Sequence, residues 1–254
     1  MLGEERLSLL HKTILANKSV TIDELSQTFQ VTSMTIRRDL DKLCESYPNI
    51  KRCHGGVMVI TEVNTEENFE YRKGINVNDK QKIAQRAFQE ISDRDTIYLD
   101  AGTTVFELAK LIAASDLKLT VVTNDLETAR VLINSPSEVI LTGGILQKST
   151  GCLLGSLAEE MMDKIKMKIA FMGATSIHEN FEVLTPSIEK RSMKPKIIKN
   201  AMYSYLLVDK DKFNTYSTYV IYSLKDFTAV MTNKEFSATE KLILADQGVN
   251  IKKC

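Results

Sequence analysis

A chain of 254 residues, 43% hydrophobic and 26% charged, has room for a small domain and a larger one, each with its own core. The longest apolar runs, at 120–123, 140–141 and 205–208, are far too short to span a bilayer. The start, Met1-Leu2-Gly3-Glu4-Glu5, lacks the basic-then-apolar order of a secretory leader, so a cytoplasmic protein is expected.

The 33 basic and 33 acidic residues cancel, which leaves any affinity for nucleic acid to local clustering. Cys44, Cys53, Cys152 and Cys254 form no CxxC pair and no metal-ligand spacing, as expected of reduced thiols. Neither a metal nor a cofactor is expected.

Glu4 to Asn17 reads as a helix with Leu7, Leu10, Ile14 and Leu15 on one side, and Lys18-Ser19-Val20 as a break. Thr21-Ile22-Asp23-Glu24 has the capping-box pattern and opens a short helix, Ile22 to Phe29. Gln30-Val31 turns into a third helix with Thr32 as its N-cap. Ile36, Leu40 and Leu43 give that helix an apolar face, and Ser33, Met34, Thr35, Arg37 and Arg38 fall on or beside the other. Arginine can pair bidentately with guanine in the major groove, and Ser and Thr reach phosphates or bases, so this helix reads as the recognition helix of a helix-turn-helix. A solvated polar face is the bland alternative for such a helix alone.

Pro48 places the helix end near Cys44 to Tyr47. Two β-prone runs then flank Gly55-Gly56 as a hairpin, a wing that would carry Lys51, Arg52 and His54 to the DNA backbone. The excess of Arg37, Arg38, Lys42, Lys51 and Arg52 over Asp39, Asp41 and Glu45 is small, so oligomerisation is expected.

Residues 61–78 are polar and acidic and read as a linker, with Phe69 and Tyr71 as docking residues. From 79 onward the pattern alternates: helices near 79–91, 105–114, 126–133, 157–165 and 238–248, and strands near 96–100, 119–123, 138–141, 168–172, 204–208 and 229–232. Such alternation implies an α/β domain with a mainly parallel, doubly covered sheet. Ligands of such sheets bind at the carboxyl ends of the strands.

Asp100-Ala101-Gly102-Thr103-Thr104 ends one strand and opens a helix, where free N–H groups and two hydroxyls suit an anion. Thr123-Asn124-Asp125, Gly143-Gly144 with Gly151 beyond, and Asp209 to Phe213 (including Lys212) end others. Together they suggest a pocket for a small phosphorylated polar molecule, although each alone is as often a plain turn.

Thr35-Ile36-Arg37-Arg38-Asp39-Leu40 followed by Arg52-Cys53-His54-Gly55-Gly56 resembles the N-terminal signature of the DeoR family of bacterial transcription regulators. The remainder resembles that family's sensor domain through Asp100 to Thr104, Thr123-Asn124, Gly143-Gly144, Gly151 to Gly155, Phe171 to Ala174, Thr185-Pro186, Lys194 and Asp209 to Phe213. The resemblance implies a winged helix-turn-helix domain (1–60), a linker (61–78) and a Rossmann-like effector-sensing domain (79–254) similar to ribose-5-phosphate isomerase.

It further implies a phosphorylated-sugar effector with Thr103, Thr104 and Lys212 near it, Asp100 and Asn124 facing its hydroxyls, and Lys194 on a helix. Function follows as a DNA-binding regulator, most simply a homo-oligomeric repressor. The competing reading is a sugar-phosphate isomerase with Asp100 or Asp209 as base and a DNA-binding module attached. The chain departs from the family at Thr175-Ser176, Phe181-Glu182, Ser192 and Pro195, and the proline implies that the helix carrying Lys194 starts later or kinks.

Overall fold

The computed structural model describes residues 3–47, 49–53, 55–59, 61–62, 66 and 69–254. Two compact units emerge: 1–62 together with 214–216, and the rest of the chain from 63 to 254.

The first unit comprises α1 (Gly3–Asn17), β1 (Ser19–Thr21), α2 (Ile22–Phe29), α3 (Ser33–Ser46), β2 (Ile50–Cys53), β3 (Gly56–Val59) and β4 (Thr61–Glu62). The capping box forms as the spacing requires, with Thr21 N bonded to the Glu24 carboxylate at 2.8 Å and Glu24 N to Thr21 Oγ1 at 3.2 Å. Leu10, Ile14, Leu25, Ile36, Leu40, Ile50 and Val57 are fully buried in a single core. The presumed break at 18–20 is in part a strand: β1 pairs antiparallel with β3, giving a three-stranded sheet β1-β3-β2. Gly56 permits this, because a Cβ there would lie 2.4 Å from the Val20 carbonyl oxygen.

The second unit comprises α4 (Phe69–Lys73), α5 (Val77–Phe88), β5 (Thr96–Leu99), α6 (Thr103–Ala113), β6 (Thr120–Thr123), α7 (Leu126–Leu132), β7 (Glu138–Leu141), β8 (Ile145–Gln147), β9 (Cys152–Leu154), α8 (Ser156–Lys164), β10 (Met167–Met172), β11 (Ser176–Ile177), β12 (Glu182–Thr185), α9 (Ile188–Lys199), β13 (Ala201–Leu207), β15 (Tyr219–Ser223), β16 (Ala229–Thr232), α10 (Ala238–Asp246) and β17 (Ile251–Lys253). The short strand β14 (Thr215–Tyr216) belongs to the first unit and pairs parallel with β4.

Seven strands form one wholly parallel sheet in the order β17-β16-β13-β10-β5-β6-β7. Alternate residues serve opposite faces, as the period of two demands. Ile97, Leu99, Val121, Ile169, Phe171, Leu207 and Met231 pack with α5, α6 and α7. Tyr98, Val122, Ala170, Met172, Leu206 and Val230 pack with α8, α9 and α10.

The chain builds outward from β5 to β7, then returns to lay β10 on the other side of β5. The order therefore reverses between β5 and β10, where a crevice opens at the strands' carboxyl ends. Three elements of the unit were not anticipated: the antiparallel hairpin β8–β9, a small sheet β11-β12-β15, and the edge strand β17. The helix α9 does not start late: Ser187 caps it and Pro195 lies inside it.

Candidate functional site

Local chemistry sets the exposed face of α3. Thr32 Oγ1 accepts from Thr35 N at 3.3 Å, fixing the helix start. Ile36, Leu40 and Leu43 turn inward, and Asp39, also buried, pairs with Arg6 Nε of α1 at 2.6 Å. Met34, Arg37, Arg38, Asp41 and Lys42 are left as an exposed stripe, with Ser33 and Thr35 half-buried beside it.

In the β2–β3 hairpin Lys51 is exposed, whereas Arg52 is half-buried with its Nε 3.6 Å from Asp41. Arg52 thus leans on α3, and Lys51 is the more open of the two wing cations. His54 lies outside the described residues.

A second site lies within the sheet-bearing unit, in the crevice between β5 and β10. It is lined by the start of α6 (Gly102, Thr103, Thr104), the turn after β10 (Gly173, Ala174, Thr175), Lys190 and Lys194 of α9, Lys212, Arg72 and Glu66. Gly102 supplies no side chain to cap α6, and a Cβ there would meet open space. The first amides of the helix are thereby left for an anion, with the helix dipole favouring negative charge.

Asp100 stands behind this wall, 1% exposed. Its Oδ2 accepts from Gly173 N at 2.9 Å and from Lys194 Nζ at 2.5 Å, and Lys194 also donates to the Gly173 carbonyl at 3.0 Å. Asp100 therefore joins the ends of β5 and β10 and fixes Lys194 at the cleft wall.

One turn earlier on α9, Lys190 Nζ lies 2.8 Å from Glu66 Oε1, both side chains being buried. Burial pushes the Glu66 carboxyl up, but Lys190, helped by Arg72 and Lys194, outweighs it and holds the group below the usual carboxylate range.

The other sequence-selected residues are placed elsewhere. Asn124 accepts from Tyr98 OH at 2.9 Å and donates to the Leu153 carbonyl at 3.1 Å. Thr123 Oγ1 donates to the Leu99 carbonyl at 2.7 Å. Both are fully buried and absent from the cleft lining. Gly144 is tight against β9, where a Cβ would come 2.5 Å from the Leu154 carbonyl oxygen, and neither it nor Gly143 or Gly151 lines the cleft. Asp209 is buried and caps the 3-10 turn Lys210–Lys212 by accepting from Asp211 N at 3.0 Å, which positions Lys212.

Sequence reading missed Lys190, Arg72 and Glu66. Lys190 and Lys194, four apart after a Ser187 cap, share one helix face and could have been found together. Arg72 and Glu66 carry no such local signal.

A winged helix-turn-helix and a parallel α/β unit with a cleft lined by several cations are the architecture of a ligand-responsive DNA-binding regulator. The family comparison makes this specific: residues 6–63 match the DeoR-like helix-turn-helix domain and residues 75–234 the DeoR C-terminal sensor domain, so the chain belongs to the DeoR family of transcriptional regulators. It is 32% identical to the HTH-type transcriptional regulator FruR of Bacillus subtilis, over 92% of this chain and 93% of that one. It is 30% identical to the lactose phosphotransferase system repressor of Lactococcus lactis, over 92% of each chain. It is 27% identical to the glycerol-3-phosphate regulon repressor of Escherichia coli, again over 92% of each.

These similarities run nearly end to end and are to regulators; the chain is a regulator rather than an enzyme, and the isomerase alternative gains no support from them. A ribose 5-phosphate isomerase A from Methanocaldococcus jannaschii shares 17% identity over 54% of this chain and 55% of its own, with a TM-score of 0.41. Among the described residues no helix is long and apolar enough to cross a membrane.

Proposed function

We propose that this regulator represses genes of sugar or sugar-phosphate metabolism, and that a phosphorylated sugar bound in the cleft weakens its hold on the operator. The observation that carries the reading is the convergence of an uncapped helix start, Thr103, Thr104 and four cationic side chains on one crevice. Phosphate chemistry needs that set: amide donors, hydroxyls and positive charge at short range. Gly102, Thr103, Thr104, Lys194 and Lys212 hold the phosphate, and Asp100 acts through Lys194. Asn124, Thr123, Gly143, Gly144, Gly151 and Asp209 brace the strand ends around them.

On the DNA side, Arg37 and Arg38 read base edges, with Met34, Ser33, Thr35 and Thr32 around them, while Lys51, Arg52 and His54 approach the backbone. The protein works in the cytoplasm as a homo-oligomer, whose two-fold related reading helices engage paired half-sites. A ligand acts only through its different affinity for the DNA-competent and DNA-incompetent states.

The test is binding to the DNA upstream of the protein's own gene cluster, at fixed salt, titrated with phosphorylated sugars. Release by one of them, and not by its unphosphorylated parent, is expected. Tight binding unmoved by every phosphorylated sugar and by inorganic phosphate would sink the proposal.

A further inference from the structure

The cleft already contains an acid of its own. Glu66 does not reach Lys190 from a neighbouring turn; the two are far apart in sequence, and their side chains are nonetheless buried against each other at 2.8 Å. The segment bearing Glu66 is anchored beside the cleft. Phe69, three residues on, packs edge-to-face on Phe106 of α6 with ring centroids 5.4 Å apart, and its amide donates to the Ser149 carbonyl at 3.1 Å.

Burying an acid among cations in a ligand cleft is expensive unless the cations need an anion there. Lys190 is such a cation: Glu66 is its ion-pair partner, just as Asp100 is that of Lys194. The pairs differ in one respect. Asp100 is also bonded to the backbone at Gly173 and sits behind the cleft wall, whereas Glu66 lines the cavity itself.

Charge points the same way. Among these groups Arg72, Lys190, Lys194 and Lys212 face the cleft, opposed by Glu66 and by Asp100 behind it. With Glu66 withdrawn, Lys190 presents its charge to the cleft, and a second acidic group of a ligand can meet it.

We propose that Glu66 stands in for a second acidic group of the natural ligand, so that the cleft takes a sugar derivative with two anionic groups, one at the start of α6 and one on Lys190. This rests on the sugar-phosphate reading above and narrows it to bisphosphates and phosphorylated sugar acids. Lys190 is the residue that sets the preference, and Glu66 is an internal competitor that keeps compounds with one anionic group from satisfying the site.

The experiment is calorimetric titration of the full-length protein with matched probes: glucose 6-phosphate against 6-phosphogluconate, and fructose 6-phosphate against fructose 1,6-bisphosphate. The doubly acidic member of at least one pair should bind about tenfold more tightly, the order expected of one added charge-assisted pair. Glu66→Gln should tighten that member by about tenfold more than its monophosphate partner. The double variant Glu66→Gln with Lys190→Met, which leaves no buried charge unpaired, should erase the preference while remaining folded.

Equal affinity within both pairs, or a preference that survives the double variant, would overturn the proposal and leave the sugar-phosphate reading standing. Failure of all four compounds and of inorganic phosphate to bind would overturn both.

Discussion

Arg37 and Arg38 are exposed because Ile36, Asp39 and Leu40 are not: the helix period leaves them nowhere else to go. Replacing either by Ala removes no core contact, so each variant should keep the wild-type melting temperature while losing specific DNA affinity. A base-contacting arginine contributes about 1–3 kcal/mol, or roughly 5- to 150-fold in Kd. Gel-shift titration at fixed salt checks this, and wild-type affinity in both variants would remove α3 from the groove.

Lys80 makes a different residue-scale case. It is 3% exposed, its Nζ donates to the Arg72 carbonyl at 2.6 Å, and its pKa is lowered from 10.5 to about 8, chiefly by burial and in part by Lys212 and Arg72, with Asp209 and Glu107 opposing the shift. The unfolded chain therefore holds this proton from pH 8 to 10.5 where the native state has released it. Stability contributed by Lys80 rises with pH across that window and is lost as pH falls through 8. Lys80→Met should be most favourable relative to wild type near pH 7, with the advantage shrinking by pH 10. Urea unfolding of both proteins at several pH values measures it; a difference constant from pH 7 to 10 would contradict the assignment.

At the scale of elements, α9 carries two cleft lysines and an internal proline. Pro195 cannot donate to the Arg191 carbonyl, and its ring crowds that turn. The helix persists because Met193 and Ile197, on either side of the proline, are buried in the core under the sheet. Pro195→Ala should stabilise the protein, by up to about 3 kcal/mol where the backbone can relax fully, as a higher denaturation midpoint with unchanged slope. A lower midpoint would mean that the packing of α9 depends on the proline's local geometry.

Phe181 is a comparable compromise. Its φ of +67° is the left-handed conformation that glycine adopts most easily, yet its side chain is buried and packs edge-to-face on Phe236. A sequence rule reads proline as a break and a left-handed turn as glycine; tertiary burial overrides both here. What was legible is what is local: the Thr32 cap, the Thr21–Glu24 box, the Arg pair and the strand-to-helix turn at 100–104 each complete themselves within one turn of chain. The strand β1 was not legible, since its three residues gain a partner only in β3. Nor were the Glu66–Lys190 and Asp100–Lys194 pairs, which join segments that only the sheet order brings together.

For the whole molecule, each unit closes its own core, so a ligand cannot act on DNA merely by completing a fold. The cleft is nevertheless tied to the first unit through the chain. Glu66 follows β4 by four residues, and Lys212 precedes the 214–216 segment by two. On the proposed reading, an anion that draws on Lys212 or displaces Glu66 acts at residues close in sequence to the first unit's segments. Coupling of this kind is reciprocal: the factor by which effector weakens operator binding must equal the factor by which operator weakens effector binding. Couplings of about 1–3 kcal/mol correspond to roughly 5- to 150-fold.

The measurement is a closed cycle on the full-length protein, with operator affinity taken at zero and saturating effector and effector affinity taken with and without saturating operator. Equal factors are expected on the two sides. Lys212→Ala should shrink both factors together while operator affinity without effector stays near wild type. An effector that binds the cleft tightly but leaves operator affinity unchanged would show that it fits both states equally, and the regulatory ligand would then be a different molecule.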